Sequence, residues 1–157
     1  MKYLAIAVVA LFLTTSHTLA EEKKPIKPDS TDKCPVCGMF VAKYPDFLAE
    51  IIFKVGTHAM FDGAKDMVKY YFNMAKYNPS KQVSDVDSVY VTDYYRLEFV
   101  NGLNAFYVLD SNVIGPMGKE LIPFEKEDEA KEFMVDHLGK SPVKWNAITQ
   151  DLVKGLE

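Results

Sequence analysis

A chain of 157 residues, 48% of them apolar, can build one core or two small lobes that share one. Its net charge of −4, with no basic patch and no RNA-binding aromatic motif, argues against nucleic acid as a partner. Both cysteines lie in a single Cys-x-x-Cys, whose short loop closes too little chain entropy to serve as a disulfide framework.

Lys2, the apolar run Leu4–Leu13 and the small-residue end Thr18-Leu19-Ala20 have the pattern of a secretory signal peptide over residues 1–20. The run is short for a membrane span, so a membrane tether would require this signal to stay uncleaved. The chain is therefore expected to be exported to the periplasm, with association to the inner membrane only by that route. Residues 21–33 are charged and carry two prolines, which predicts a flexible leader ahead of a folded domain over 34–157.

The domain opens on Cys34-Pro35-Val36-Cys37-Gly38-Met39. Two thiols separated by two residues can face one point on a tight turn. Gly38 can supply the positive φ such a turn needs, and Pro35 fixes the backbone between the sulfurs. Thiolates with a thioether select Cu(I), whereas thiolates alone also suit zinc. A closed zinc site wants further Cys or His ligands, and after the signal only His58 and His137 remain. A thioredoxin-like redox pair needs a preceding strand and a following helix, and the polar leader is the wrong context. Cys-x-x-Cys-His haem attachment fails because Gly38 takes the histidine position. A copper knuckle, a thiol–disulfide pair and a zinc-knuckle interaction domain stay open at this level.

Phe40–Ala42 and Phe47–Val55 are predicted to pair as a hairpin behind the knuckle. His58–Phe61 continues as a strand or the start of a helix. If it is a strand, His58 and Met60 share a face and could add metal ligands. Asp62 is expected to N-cap a helix carrying Ala64, Met67, Val68, Tyr71 and Phe72, which ends by Tyr77 before Pro79. Met67 and Met74 read as core. Strands follow at Ser88–Asp93, Arg96–Val100 and Ala105–Leu109. Pro116, between Gly115 and Gly118, puts Met117 at the tip of an irregular loop, where a methionine fills no helix face. A second helix opens at Glu125–Glu129, carries Ala130, Phe133, Met134 and Leu138, and is capped by Gly139. His137 would sit favourably at its C-terminal end, and Trp145 is expected to cover a core edge.

An internal echo links the Phe61–Ala64 and Phe124–Ala130 helix starts, each preceded by strands and by a glycine turn bearing a methionine, Gly38-Met39 and Met117-Gly118. The fold class expected is α+β. It is two ββαβ-type halves, about 34–80 and 88–150, sharing a core, with the Cys-x-x-Cys knuckle at the N-terminal side. No paired catalytic carboxylates, Ser/His/Asp set, P-loop or GxGxxG is present, so an enzyme is not expected.

The knuckle CPVCGM, the segment YVTDY (Tyr90–Tyr94), AFYVLDS (Ala105–Ser111) and IGPMGKELIPF (Ile114–Phe124) together resemble the NosL family over about residues 33–150. The resemblance implies a pair of ββαβ units and a Cu(I) chaperone. It would deliver metal to an apo-cuproenzyme, nitrous oxide reductase in the family's defining case, alongside membrane maturation machinery. The ligand set expected is Cys34, Cys37, Met39 and Met117. Many members are lipoproteins with a cysteine at the cleavage site, where this chain has Ala20-Glu21.

Overall fold

The computed structural model describes residues 23–157, so the expected signal segment lies outside the described residues. Among those, no helix is long and apolar enough to cross a membrane. Strand β1 (Ala49–Phe53) is buried at every position because it is flanked on both sides in a four-stranded antiparallel sheet of order β2-β1-β3-β4. Its partners are β2 (His58–Phe61), β3 (Val86–Thr92) and β4 (Phe99–Asn101). A three-stranded antiparallel sheet of order β8-β5-β9 uses β5 (Phe106–Val108), β8 (Ile122–Phe124) and β9 (Val143–Lys144). Between β5 and β8, β6 (Ile114–Gly115) and β7 (Gly118–Lys119) form a small hairpin.

Helix α1 (Ala64–Phe72) follows β2, a single helical turn α2 (Met74–Tyr77) extends it, α3 (Glu127–Asp136) follows β8, and α4 (Gln150–Lys154) closes the chain. The two ββαβ units are therefore β1-β2-α1-β3 and β5-β8-α3-β9. In each, the first strand is central, and two residues join the second strand to its helix. β3 pairs with β1, so the first unit takes in Val86–Thr92, although the sequence reading opened the second half at about residue 88.

The larger core gathers Val41, Ile51, Phe61, Met67, Val68, Tyr70, Val89 and Tyr107, with Met67 and Met74 packed inside as expected. Trp145 stacks edge-on against Tyr71 at 5.0 Å and covers an edge of this core. A smaller core of Val108, Ile122, Phe124, Ala130 and Phe133 serves the second unit.

Four local expectations change. Phe40–Ala42 is not a strand: Val41–Lys43 is a 3-10 turn, and Phe40 makes only an isolated bridge to Lys33. Asp62 does not cap α1. Gly63 holds the cap position without a side-chain bond, because Asp62 turns towards Cys37. At the end of α3 the cap is His137, whose ring stacks on Phe133 at 4.3 Å, and Leu138 takes the left-handed backbone ahead of Gly139. Of the segment expected as a flexible leader, the described residues 23–33 form no helix or strand but lie against the first sheet. Lys23 donates to the Phe53 carbonyl at 2.9 Å, Tyr90 donates to the Lys23 carbonyl at 2.7 Å, and the Ile26 N–H reaches Glu50 at 3.0 Å. Glu50 is fully buried on β1, where desolvation raises its carboxyl pKa, so a donor from the leader is what makes its burial tolerable.

Candidate metal centre

The knuckle is closed by two backbone hydrogen bonds, Cys34 N–H to the Met39 carbonyl and Gly38 N–H to the Cys34 carbonyl, both 2.9 Å. Gly38 takes φ +79°, the left-handed value its place in the turn requires. This folding buries Cys34 and leaves Cys37 half-buried, with both sulfurs as free thiols.

The sulfurs face the first turn of α1. Cys34 Sγ lies 3.4 Å from Asp66 Oδ2, and Cys37 Sγ lies 3.3 Å from both oxygens of Asp62. One donor atom from each of these four residues lies within 4.8 Å of every other. Asp62 and Asp66 are almost fully buried, and Asp66 Oδ1 has no hydrogen-bond partner; Lys69 Nζ stands 3.6 Å from it. Asp66 Oδ1 thus has an ion-pair partner but no hydrogen bond, which leaves lone-pair capacity beside two thiols that a metal ion could use.

Burial pushes the Cys34 thiol well above its ordinary range, and the neighbouring Asp62 carboxylate adds to the effect. Cys37 is pushed up to about 11, again chiefly by burial, with Asp62 and Asp66 contributing. Without metal, both sulfurs are therefore protonated donors to the carboxylates. A metal ion would displace those protons and meet two soft sulfurs and two hard oxygens.

Two further buried residues tie the start of α1 to the β6–β7 hairpin. Lys65 Nζ donates to the carbonyls of Met117 (2.7 Å) and Lys119 (2.6 Å). Glu120 accepts the Lys65 backbone N–H and, at 2.9 Å, that of Leu121. Burial raises the Glu120 carboxyl to about 7 against those donors. Gly63 leaves room for this carboxylate, since a Cβ there would stand 2.2 Å from Glu120 Oε2 and displace it.

Of the ligands expected from sequence, Cys34 and Cys37 are brought together. Met39 is half-buried and closes the knuckle through its carbonyl. Met117 sits at the hairpin tip, 46% exposed, and its backbone carbonyl docks beside α1. His58 is exposed and Met60 is packed in the core; neither belongs to the four-residue cluster. Asp62 and Asp66 were missed. Their one sequence sign was an aspartate pair spaced one helical turn apart, which reads more simply as a cap and a first-turn acid.

Two ββαβ units, the first of which brings two thiols and two carboxylates to one point, define the fold and its candidate metal centre. The NosL family model matches residues 25–153, and the chain belongs to that family. It is 24% identical over 139 residues to the copper-binding lipoprotein NosL of Stutzerimonas stutzeri, a match spanning 83% of this chain and 69% of that protein. The crystal structure of the copper chaperone NosL from Shewanella denitrificans is similar at a TM-score of 0.71 and 26% identity, covering 82% of this chain and 98% of that one. These relatives are a copper-binding lipoprotein and a copper chaperone.

Proposed function

We propose that this chain is an exported Cu(I) metallochaperone. Its cargo is held by the Cys34 and Cys37 thiolates, with the Met39 and Met117 thioethers completing a soft sulfur set, and is passed to an apo-cuproenzyme outside the inner membrane. Nitrous oxide reductase, served by its membrane maturation machinery, is the client the family likeness favours. The observation that carries the reading is the convergence of two thiols and two buried carboxylates, one carboxylate oxygen of which lacks a hydrogen-bond partner. The likeness to a lipoprotein and the signal-like N-terminus support export.

The thiolates supply charge and affinity, and the half-exposed thioether at the hairpin tip gives a ligand that leaves readily when a partner's donor attacks. Asp62 and Asp66, each beside one thiol, accept the thiol hydrogen before loading and shape the ring of donors around the ion. The thiol–disulfide alternative is disfavoured, because redox-active cysteines rely on lowered pKa values and both thiols here are raised. A second metal reading has a specific basis: two thiolates with two carboxylates suit zinc, whereas thiolates with thioethers suit Cu(I).

Anaerobic Cu(I) titration of the reduced protein against a competing chelator tests this. A single tight Cu(I) per chain is expected, weakened on the order of 100-fold or more in Cys34→Ser and Cys37→Ser and about tenfold in Met117→Leu. Zinc retained under the same competition while Cu(I) is not, or Cu(I) binding indifferent to the cysteines, would overturn the copper assignment.

A further inference from the structure

The backbone of the knuckle recurs ahead of the second unit, in the β3–β4 connection Asp93-Tyr94-Tyr95-Arg96-Leu97-Glu98, whose side chains meet α3 of that unit. Asp93 N–H bonds the Glu98 carbonyl at 2.8 Å, as Cys34 N–H bonds that of Met39. Leu97 N–H bonds the Asp93 carbonyl at 2.8 Å, as Gly38 N–H bonds that of Cys34. Leu97 takes φ +56° where Gly38 takes +79°. The residues bracketing each turn also pair, Lys33 with Phe40 and Thr92 with Phe99. Asp93 thus stands where Cys34 does, and Arg96 where Cys37 does. The echo that sequence placed between Gly38-Met39 and Met117-Gly118 lies here instead.

The helices agree with this pairing. α1 begins three residues after Phe61, the end of β2, and α3 three after Phe124, the end of β8. Glu125 and Glu129 therefore occupy the positions of Asp62 and Asp66, and Phe133 that of Tyr70, both buried. In the first unit the turn's thiols meet the aspartates. In the second, the Arg96 guanidinium meets Asp93 at 2.9 Å, Glu129 at 2.5 Å and Glu125 at 3.7 Å. Asp93 is fully buried and also accepts the Glu125 N–H at 2.7 Å.

We propose that the two units carry equivalent cation centres and that in the second the Arg96 guanidinium serves as a permanent, built-in ion. A side-chain cation tethered at the turn cannot leave, so this centre is closed to exchange and stiffens its unit. The first centre, with thiols in place of Asp93 and Arg96, keeps the same geometry open for an exchangeable ion. With the guanidinium withdrawn, the second centre offers only carboxylates and would take a hard divalent cation such as Ca²⁺; with two thiols restored, it would take a soft one. The comparison rests on reading the knuckle with Asp62 and Asp66 as a cation centre.

Two measurements test it. Full-length reduced protein is titrated with Cd²⁺, followed by thiolate charge-transfer absorbance, as wild type, as Asp93→Cys/Arg96→Cys, and as that pair in a Cys34→Ser/Cys37→Ser background. One, two and one ions per chain are expected. A folded Asp93→Cys/Arg96→Cys variant that takes only one ion overturns the proposal. Wild type taking none would instead remove the first-centre reading, while the four-site variant still reports on the second. Separately, Arg96→Ala should unfold at lower temperature than wild type, and millimolar Ca²⁺ should recover part of that loss at constant ionic strength without moving wild type. An Arg96→Ala protein as stable as wild type, or a loss indifferent to Ca²⁺, overturns the proposal even if the cysteine variants fail to fold.

Discussion

Asp62→Asn tests the carboxylates that the fold adds to the thiols. Asp62 is 1% exposed, and both its oxygens stand 3.3 Å from Cys37 Sγ, so asparagine keeps the shape and removes one negative charge. Cys37 is raised from 9.0 to about 11, and burial is the largest cause, with the Asp62 contact a smaller one. Removing the charge should therefore return only part of that rise, making thiolate at a fixed pH below the pKa more abundant, by less than the roughly 100-fold that the whole rise represents. The assay is the pH dependence of iodoacetamide alkylation of Cys37 in metal-free protein, in a Cys34→Ser background with and without Asp62→Asn. The alkylation profile should move to lower pH. In metal-binding assays on the otherwise wild-type chain, Zn²⁺ affinity should fall about 10–100-fold, because a hard ligand is lost, and Cu(I) affinity less than tenfold. An unmoved alkylation profile would refute the Asp62–Cys37 contact. A loss of Cu(I) affinity as large as that for Zn²⁺ would refute a sulfur-dominated copper site.

Apparent Cu(I) affinity should rise with pH between about 6 and 9, since both raised thiols stay protonated across that range without metal and each thiolate formed on binding releases a proton. The slope, read from chelator competition at several pH values, should be about tenfold per unit for each cysteine that ligates, and a flat profile would rule out thiolate binding. In the second core, Phe133 is fully buried and its ring lies 5.0 Å from both Phe124 and Tyr94, so Phe133→Ala should cost about 3–5 kcal/mol in urea unfolding. A cost below about 1 kcal/mol would show that the second unit contributes little to the cooperative fold.

The sequence by itself determined the elements whose cause is local. Apolar spacing placed α1 and α3 to within a few residues, the β-branched run placed β1, and Pro116 between two glycines placed Met117 at a tip. It also determined the tight turn of the knuckle, because two cysteines, a glycine able to take positive φ and a proline act within six residues. The likeness to the NosL family rested on motifs of the same short range. Only the tertiary structure decided what faces those thiols. Asp62 and Asp66 look like a cap and a first-turn acid because helix-start preferences are local, whereas their contact with Cys34 and Cys37 spans 25 and 32 residues of chain. The leader read as free because its charge hides the donors it gives to Glu50 and β1. Equivalence between the knuckle and residues 93–98 was invisible for a further reason. Backbone hydrogen bonds preserve that turn with hardly a residue in common, so aspartate and arginine can stand where the first unit has its cysteines.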